Sequence, residues 1–468
     1  MLPKNLKYGS KVESASARSY RTNIAPQNGT GTYSLGDTII INIPTRNNLV
    51  LVPTESYLKF NATVTTSGNG VVARWDSCGA HGLIQRVRVF HGSNLLSDID
   101  SYGLLAKMLF DLQVAPDSAY GKLNVLAGTR NDLVSNLPTI ATIDATTAET
   151  TLALANALKA SFNTSSISGL QINAGDSLGT SIQAAAPVTN TYCLNLISLV
   201  GTLCSANYLP LFAMTSAPLR VEIQLVSSGY QAMASSGAIA SIGLTNVEYI
   251  GNFIELGDQA MSMVYGSLQG SPLQFVVPDY RNYQYSYQLP DAITQCSFPI
   301  PAKFSSLKSL FITIRESANI NTATYFPYSS VTRGIQDIQF RVGATLMPTK
   351  AVNTLPEMFS EVLKAMGSMS DLNYAPSIEK ASYSQPASLA NTVLGNTSSG
   401  SFYLGLDLEN YCASQKDTIF AGYNSNTDDI FAIMNFGAQG ATITARFDAF
   451  ALFDEVVVFE NNTAYVKF

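Results

Sequence analysis

The strongest constraint on what this chain can fold into is that it repeats itself. Residues 83–96 (LIQRVRVFHGSNLL) run beside 334–347 (GIQDIQFRVGATLM), with Ile, Gln, Gly and Leu coinciding and Val/Ile and Leu/Met as conservative pairs. In each copy a β-like run comes about 25 residues earlier (YLKFNATVT and LFITIRE) and a helical segment follows. Farther on, residues 192–196 (YCLNL) resemble 402–406 (FYLGL), and each copy closes with a further strand. Four blocks in the same order mark an internal duplication. At 468 residues the chain exceeds what one hydrophobic core supports. The expectation is therefore two copies of one unit, over 25–230 and 245–468, preceded by a basic arm over 1–24.

The unit is β. Short runs rich in Val, Ile, Tyr, Phe and Thr, bounded by Gly, Pro, Asn or Ser, predict strands at 33–43, 55–65, 83–91, 191–198 and 218–227. A second set falls at 246–256, 283–289, 294–300, 308–316, 334–342, 401–408, 429–435 and 441–459. In VRV and VEIQL every second residue is apolar, as a sheet with one buried face requires. Two segments read as helices. Residues 101–113 follow Asp98 and Asp100, candidate caps, and are apolar on nearly every face, which predicts a buried helix. Residues 354–369 open with Thr354, carry Pro356 and Glu357 in the first turn, and set Met358, Phe359, Val362, Leu363 and Met366 on one stripe, which predicts a helix lying on a sheet. Between helix and late strands the first copy carries a long insertion, 115–190, rich in Ala, Thr, Ser and Asn; its counterpart, 371–400, is shorter. Loops of that length are usually functional surfaces or have some structure of their own. They predict unequal towers on one face.

Charge is scarce. Only 13% of residues are Asp, Glu, Lys or Arg, against roughly 25% in an average soluble domain, which suggests a surface largely covered by partners, the alternative being a solvent face rich in Thr, Ser and Asn. The net charge of −6 argues against a chain whose whole surface binds a polyanion. The cations are unevenly spread, however. Lys4, Lys7, Lys11, Arg18 and Arg21 stand against Glu13 alone in residues 1–22, so this arm is +4 and the remainder −10. An arm of that kind suits contact with nucleic acid, an acidic membrane surface or an acidic neighbour, and equally a solvated, disordered terminus. Cys78, Cys193, Cys204, Cys296 and Cys412 form no CxxC pair and are expected as buried thiols. The N-terminus has no apolar h-region, so export by an ordinary signal peptide is not expected. The most apolar stretch, 191–213, is interrupted by Asn195, Ser198, Asn207 and Pro210 and is too broken to predict a spanning helix.

Catalytic equipment is thin. The histidines are His81 and His91, and Cys78-x-x-His81 lacks a second ligand pair at metal-site spacing. Asp98 and Asp100 can be read as a hard-cation pair, but helix capping explains them more simply. Trp75 is the lone tryptophan, meagre for a sugar-stacking cleft, and no phosphate loop, GxSxG or HExxH motif is present. Tyr283, Tyr285 and Tyr287 share one strand face; an interface of stacked rings fits better than a base-stacking platform, because only Arg281 interleaves. The reading is an assembly protein rather than an enzyme, with no catalytic residue, metal or cofactor assigned.

Three stretches carry a family resemblance: LIQRVRVFHGSNLLSDIDSYGLLAKML; TYCLNLISLVGTLCSANYLPLFAM with PLRVEIQLV; and the closing RFDAFALFDEVVVFE. With the duplication, they make nearly the whole chain resemble the double-jelly-roll major capsid proteins of tailless icosahedral viruses. The resemblance implies an all-β fold of two tandem eight-stranded antiparallel jelly-roll sandwiches with a short helix in each. It also implies a homotrimeric, pseudo-hexameric capsomer tiling a viral shell, located in the virion. The insertion 115–190 would face outward. Lys4, Lys7, Lys11, Arg18 and Arg21 would face inward, tying capsomers together or touching an inner membrane or genome, with penton or minor capsid proteins as further partners. The alternative is a virion spike, fibre or surface adhesin with tandem β-sandwich binding domains. A secreted carbohydrate-active protein ranks behind both.

Overall fold

The computed structural model describes residues 17–29, 31–67, 73–129, 187–205, 207–235, 237–268, 271–369, 376, 378–389, 399–409 and 421–467. The first sandwich is built from β1 (Ala17–Ile24), β2 (Thr38–Ile43), β3 (Tyr57–Thr66), β4 (Ile84–His91), β5 (Asn94–Asp100), β6 (Val188–Leu194), β7 (Leu219–Leu225) and β8 (Ile239–Leu256). The second is built from β9 (Leu273–Leu289), β10 (Thr294–Ile300), β11 (Leu307–Glu316), β12 (Ile335–Val342), β13 (Thr345–Val352), β14 (Tyr403–Asp407), β15 (Ile430–Phe436) and β16 (Ile443–Glu460), with β17 (Thr463–Lys467) added on β16.

Sheet order makes the duplication exact in topology. The first sandwich has sheets whose main paths are β1-β8-β3-β6, with the short strands Tyr33–Ser34 and Leu49–Leu51 also paired to β8, and β2-β7-β4-β5; the second has β9-β16-β11-β14 and β10-β15-β12-β13. Adding eight to each label of the first gives the second. Two antiparallel four-stranded sheets in this order form an eight-stranded jelly roll, so the chain is a double jelly roll. The repeated block seen in sequence is the hairpin β4–β5 and its counterpart β12–β13. Gly92 and Gly343 each take φ +58° at the first position of its two-residue turn, a conformation that glycine adopts without strain.

Several boundaries differ from the sequence expectation. The arm does not extend to residue 24: Ala17–Ile24 pairs residue for residue with β8, from Ala17 opposite Leu256 to Ile24 opposite Tyr249, and so forms the edge of the first sheet. Residues 246–256, expected as the first strand of the second copy, belong to β8, because its partners β1, β3 and residues 49–51 all lie in the first sandwich. The first unit therefore closes at 256 rather than 230. The second opens at 273 after a helix, Asp258–Leu268, that the sequence reading did not identify. Strands β5 and β13 were also missed. Their sequences, NLLSDID and TLMPTKAV, do not alternate cleanly, and Pro348 and Lys350 in β13 are tolerated because it is an edge strand.

The two expected helices form, as α1 (Tyr102–Gln113) and, beyond the linker helix α2 (Asp258–Leu268), α3 (Leu355–Ala365). Almost every residue of α1 is buried, as its all-round apolarity requires. The residue at its N-cap is Ser101, in a left-handed conformation with no side-chain cap; Asp98 instead clamps Arg86, and Asp100 accepts from the Ser101 N–H at 2.7 Å. In α3, Met358 and Val362 are buried and Phe359 packs edge-on to Tyr383 at 4.8 Å. The helix lies on β14 where Gly405 leaves room: a Cβ added there would stand 2.8 Å from the Val362 Cα.

Candidate functional site: the seam between the sandwiches

Burial in the two units is unequal. Strand β3 of the first sandwich alternates between half-buried and buried residues, the pattern of a sheet with one open face. Its counterpart β11 is buried at nearly every position. The face of β11 turned from its own core carries Ser309, Phe311, Thr313 and Arg315, and helix α3 covers part of it, the Ser309 hydroxyl donating to the Ala365 carbonyl at 2.9 Å. One hydrophobic cluster runs from the first core across into Val277, Phe311, Tyr328, Val362, Tyr403, Phe450, Val457 and Ala464, while the second core is separate. The two sandwiches therefore meet through a core-like seam.

Polar groups fix its register. Lys107, in the middle of α1 and 1% exposed, donates to Asp111 at 2.8 Å, to Ser77 at 3.0 Å and across the seam to Ser401 at 3.2 Å, with Asp76 at 3.7 Å. Asp111 also accepts from Ser401 at 2.8 Å and Tyr403 at 2.7 Å. Asp76 accepts from the Tyr328 N–H at 3.2 Å and from Ser399 at 3.3 Å. Burial by itself would lower the Lys107 ammonium; Asp111 and Asp76 outweigh it and hold the group above its ordinary value. The Tyr328 hydroxyl reaches the Gly82 carbonyl at 2.8 Å. At the other end the closing strand β17 docks on the first sandwich: Asn94 donates to the Ala464 carbonyl at 3.0 Å, and the Ala464 N–H donates to His91 Nδ1 at 3.0 Å.

Residues singled out for chemistry are engaged in packing and hydrogen bonds. His91 accepts at Nδ1, and its Nε2 lies 3.0 Å from the Met214 carbonyl, so it is the neutral tautomer with the proton on Nε2. His81 is buried against Tyr102, its Nδ1 3.0 Å from the hydroxyl, and desolvation pushes it down to about 3. Among the described residues no group of three or more His, Cys, Asp or Glu is placed to hold a metal ion. Tyr283, Tyr285 and Tyr287 turn their rings toward the second core rather than an open interface, Tyr285 stacking on Phe298 at 4.9 Å. Cys78, Cys204 and Cys296 are buried thiols and Cys193 is half-buried; Cys412 lies outside the described residues. A cleft of about 360 Å³ opens between the sandwiches, lined among others by Gln85, Asp100, Gln284, Arg315 and Arg446. Its charges are already engaged: Gln85 donates to Asp100 at 3.2 Å, and Arg315 grips Asp448 at 2.7 Å. No described helix is long and apolar enough to cross a membrane.

Of the basic residues, Arg18 and Arg21 are exposed on β1, each with its guanidinium 5.9 Å from an aromatic ring, of Tyr20 and Tyr57 respectively. Lys4, Lys7 and Lys11 lie outside the described residues, as do 130–186 of the long insertion. The helices Pro116–Tyr120 and Lys122–Ala127 are the described start of that insertion.

No protein-family model matches the chain, and no curated protein matches it. Its fold, by contrast, matches solved structures end to end. The PBCV-1 virus capsid model superposes with a TM-score of 0.60 at 9% identity, covering 98% of each chain. The mavirus major capsid protein gives 0.55 at 11% identity over 99% of this chain and 92% of that one. The Faustovirus major capsid protein gives 0.53 at 10% identity over 97% and 94%. At such identities the likeness establishes the shared fold.

Proposed function

We propose that this chain is a major capsid protein: three copies form a pseudo-hexameric capsomer, and capsomers tile an icosahedral shell in the virion. The observation that carries this is coverage. The likeness to capsid structures spans both sandwiches on both sides of the comparison, leaving almost no part of this chain over for another task. A spike or adhesin with tandem binding domains does not require a fixed angle between them, whereas a tile needs a rigid body of fixed shape. The core-like seam supplies that rigidity. The low charge fraction suits broad contact with neighbouring copies, whose buried cores are depleted in charge. The role is structural, with the buried histidines and paired carboxylates serving the fold. Lys4, Lys7, Lys11, Arg18 and Arg21 form an inward contact surface toward neighbouring capsomers, minor or penton proteins, or an acidic inner layer such as a membrane or genome.

Light scattering after size exclusion, with negative-stain imaging of the same peak, tests the reading. The expected species is near 150 kDa, three chains of 50.1 kDa, with six-cornered outlines or larger shells. A monomer that persists at every salt and protein concentration refutes the capsomer.

A further inference from the structure

At the end of the seam where β17 docks, two carboxyl groups lie buried without the partners such groups require. Asp279 on β9 and Glu455 on β16 are each 1% exposed. The register sets Val277 opposite Glu455 and Asp279 opposite Phe453, so the two acids are diagonal neighbours on one face of the sheet, roughly 7 Å apart at the backbone, and Glu455 feels the charge of Asp279. Asp279 Oδ1 accepts from the Tyr280 N–H at 2.8 Å and, across the seam, from the buried Ser97 hydroxyl of β5 at 3.3 Å. Among the described residues, Asp279 Oδ2 and both oxygens of Glu455 find no hydrogen-bond donor. Two ionised carboxylates left like this in a dry interface are costly, because neither is solvated and each repels the other.

We propose that Asp279 and Glu455 form a proton-operated latch: they share a proton while the seam is closed, and when both ionise, β16 and β17 loosen from the β4–β5 hairpin. A neutral carboxyl on one acid can donate to the other, giving two of the three orphaned oxygens a partner. Among the described residues the surrounding charges do not offer an alternative. Arg281, two residues along β9, is the cation that faces both acids. One guanidinium cannot neutralise two carboxylates. On β5, Asp98 is clamped by Arg86 at 2.6 Å and Asp100 by Gln85 and the Ser101 N–H. On β16, Asp454 is held by Lys308 at 2.9 Å. Lys467 on β17 lies over the Tyr465 ring at 5.7 Å, and His91 on β4 is neutral and fully hydrogen-bonded.

Desolvation raises Asp279 to about 7, its bonds from Tyr280 and Ser97 and the charge of Arg281 opposing, and raises Glu455 well above its ordinary range, with the Asp279 charge adding to the effect. A carboxyl raised on folding keeps a proton that the unfolded chain has released. Its contribution is therefore fully favourable below the ordinary carboxylate range and is lost as pH rises toward and through about 7. The latch belongs to the folded chain and stands whether or not copies of that chain assemble.

The test compares the unmodified chain with Asp279→Asn/Glu455→Gln, which keeps the shape and removes both charges. Thermal midpoints are taken between about pH 5 and about pH 8, with hydrogen exchange, corrected for its intrinsic pH dependence, followed at 94–100 and 453–467. The unmodified chain should lose several degrees across that range and gain exchange at those two segments, while the double variant stays level in both. A level midpoint in the unmodified chain, or a parallel fall in both proteins, overturns the latch. So does recovery of the unmodified chain at the higher pH on adding calcium, which would make the pair a cation site. Should the variant fail to fold, exchange in the unmodified chain decides: a rise confined to the two segments supports the latch, and a uniform rise or none refutes it.

Discussion

Lys107 shows how one side chain ties the two halves together. It sits in the most apolar helix of the chain, where an isolated ammonium would be driven to neutrality, yet it stays charged because Asp111 and Asp76 surround it. Replacing it with Met keeps the volume and strands both carboxylates. Loss of one partner from a buried ionic group costs about 3–5 kcal/mol, so Lys107→Met should lower the urea midpoint by that equivalent at unchanged slope. Tyr403→Phe removes just one of the donors to Asp111, leaving Lys107 and Ser401 in place, and should cost about 1–2 kcal/mol. A smaller loss for Lys107→Met than for Tyr403→Phe would show that the lysine is not the centre of the network. The burial of this helix was legible, since its residues are apolar on nearly every face. The partners were not: Ser401 and Tyr403 lie some 290 residues away, and no local pattern announces a contact at that separation.

At the scale of elements, the strands that sequence revealed are those whose alternation is clean and whose faces are unlike. Strand β7, LRVEIQL, and β4 belong to that class, and the shared turn glycines made β4 and β12 recognisable as copies. Edge strands were harder. In β1 the exposed Arg18 and Arg21 read as a charged arm, because nothing local reveals that the backbone pairs with β8 along its whole length. Truncation separates the two descriptions. Removing residues 1–24 should destabilise the fold markedly more than removing 1–16, since the added loss bares one edge of β8, and denaturant midpoints of the two truncations measure the difference. Equal midpoints would mean that β1 adds nothing to the sandwich. Close approach of elements is likewise specific. Gly405→Val would drive a side chain into the backbone of α3 near Val362, and overpacking of this kind costs about 1–3 kcal/mol, read from the same midpoints.

For the molecule as a whole, the seam decides whether the chain behaves as two domains or one body. The duplication implied two units and composition implied a covered surface, but how the units meet could not be read, because it depends on which faces of β11 and β16 are buried twice. Those faces carry Phe311, Arg315, Asp448 and Phe450, residues that a free sheet would have to expose. With apolar contacts and buried hydrogen bonds shared across the seam, neither sandwich keeps its stability once the other opens. The chain should therefore unfold in one calorimetric transition, with calorimetric and van't Hoff enthalpies agreeing, despite a length that ordinarily gives separable domains. Asp111→Asn and Tyr403→Phe, on opposite sides of the seam, should be non-additive in a double-mutant cycle by about 0.5–3 kcal/mol, as groups in one network are. Two resolved transitions with additive variants would mean that the sandwiches are hinged rather than fused. A hinged pair could not hold the fixed outline that tiling requires, so the same calorimetric trace bears on the proposed capsid role.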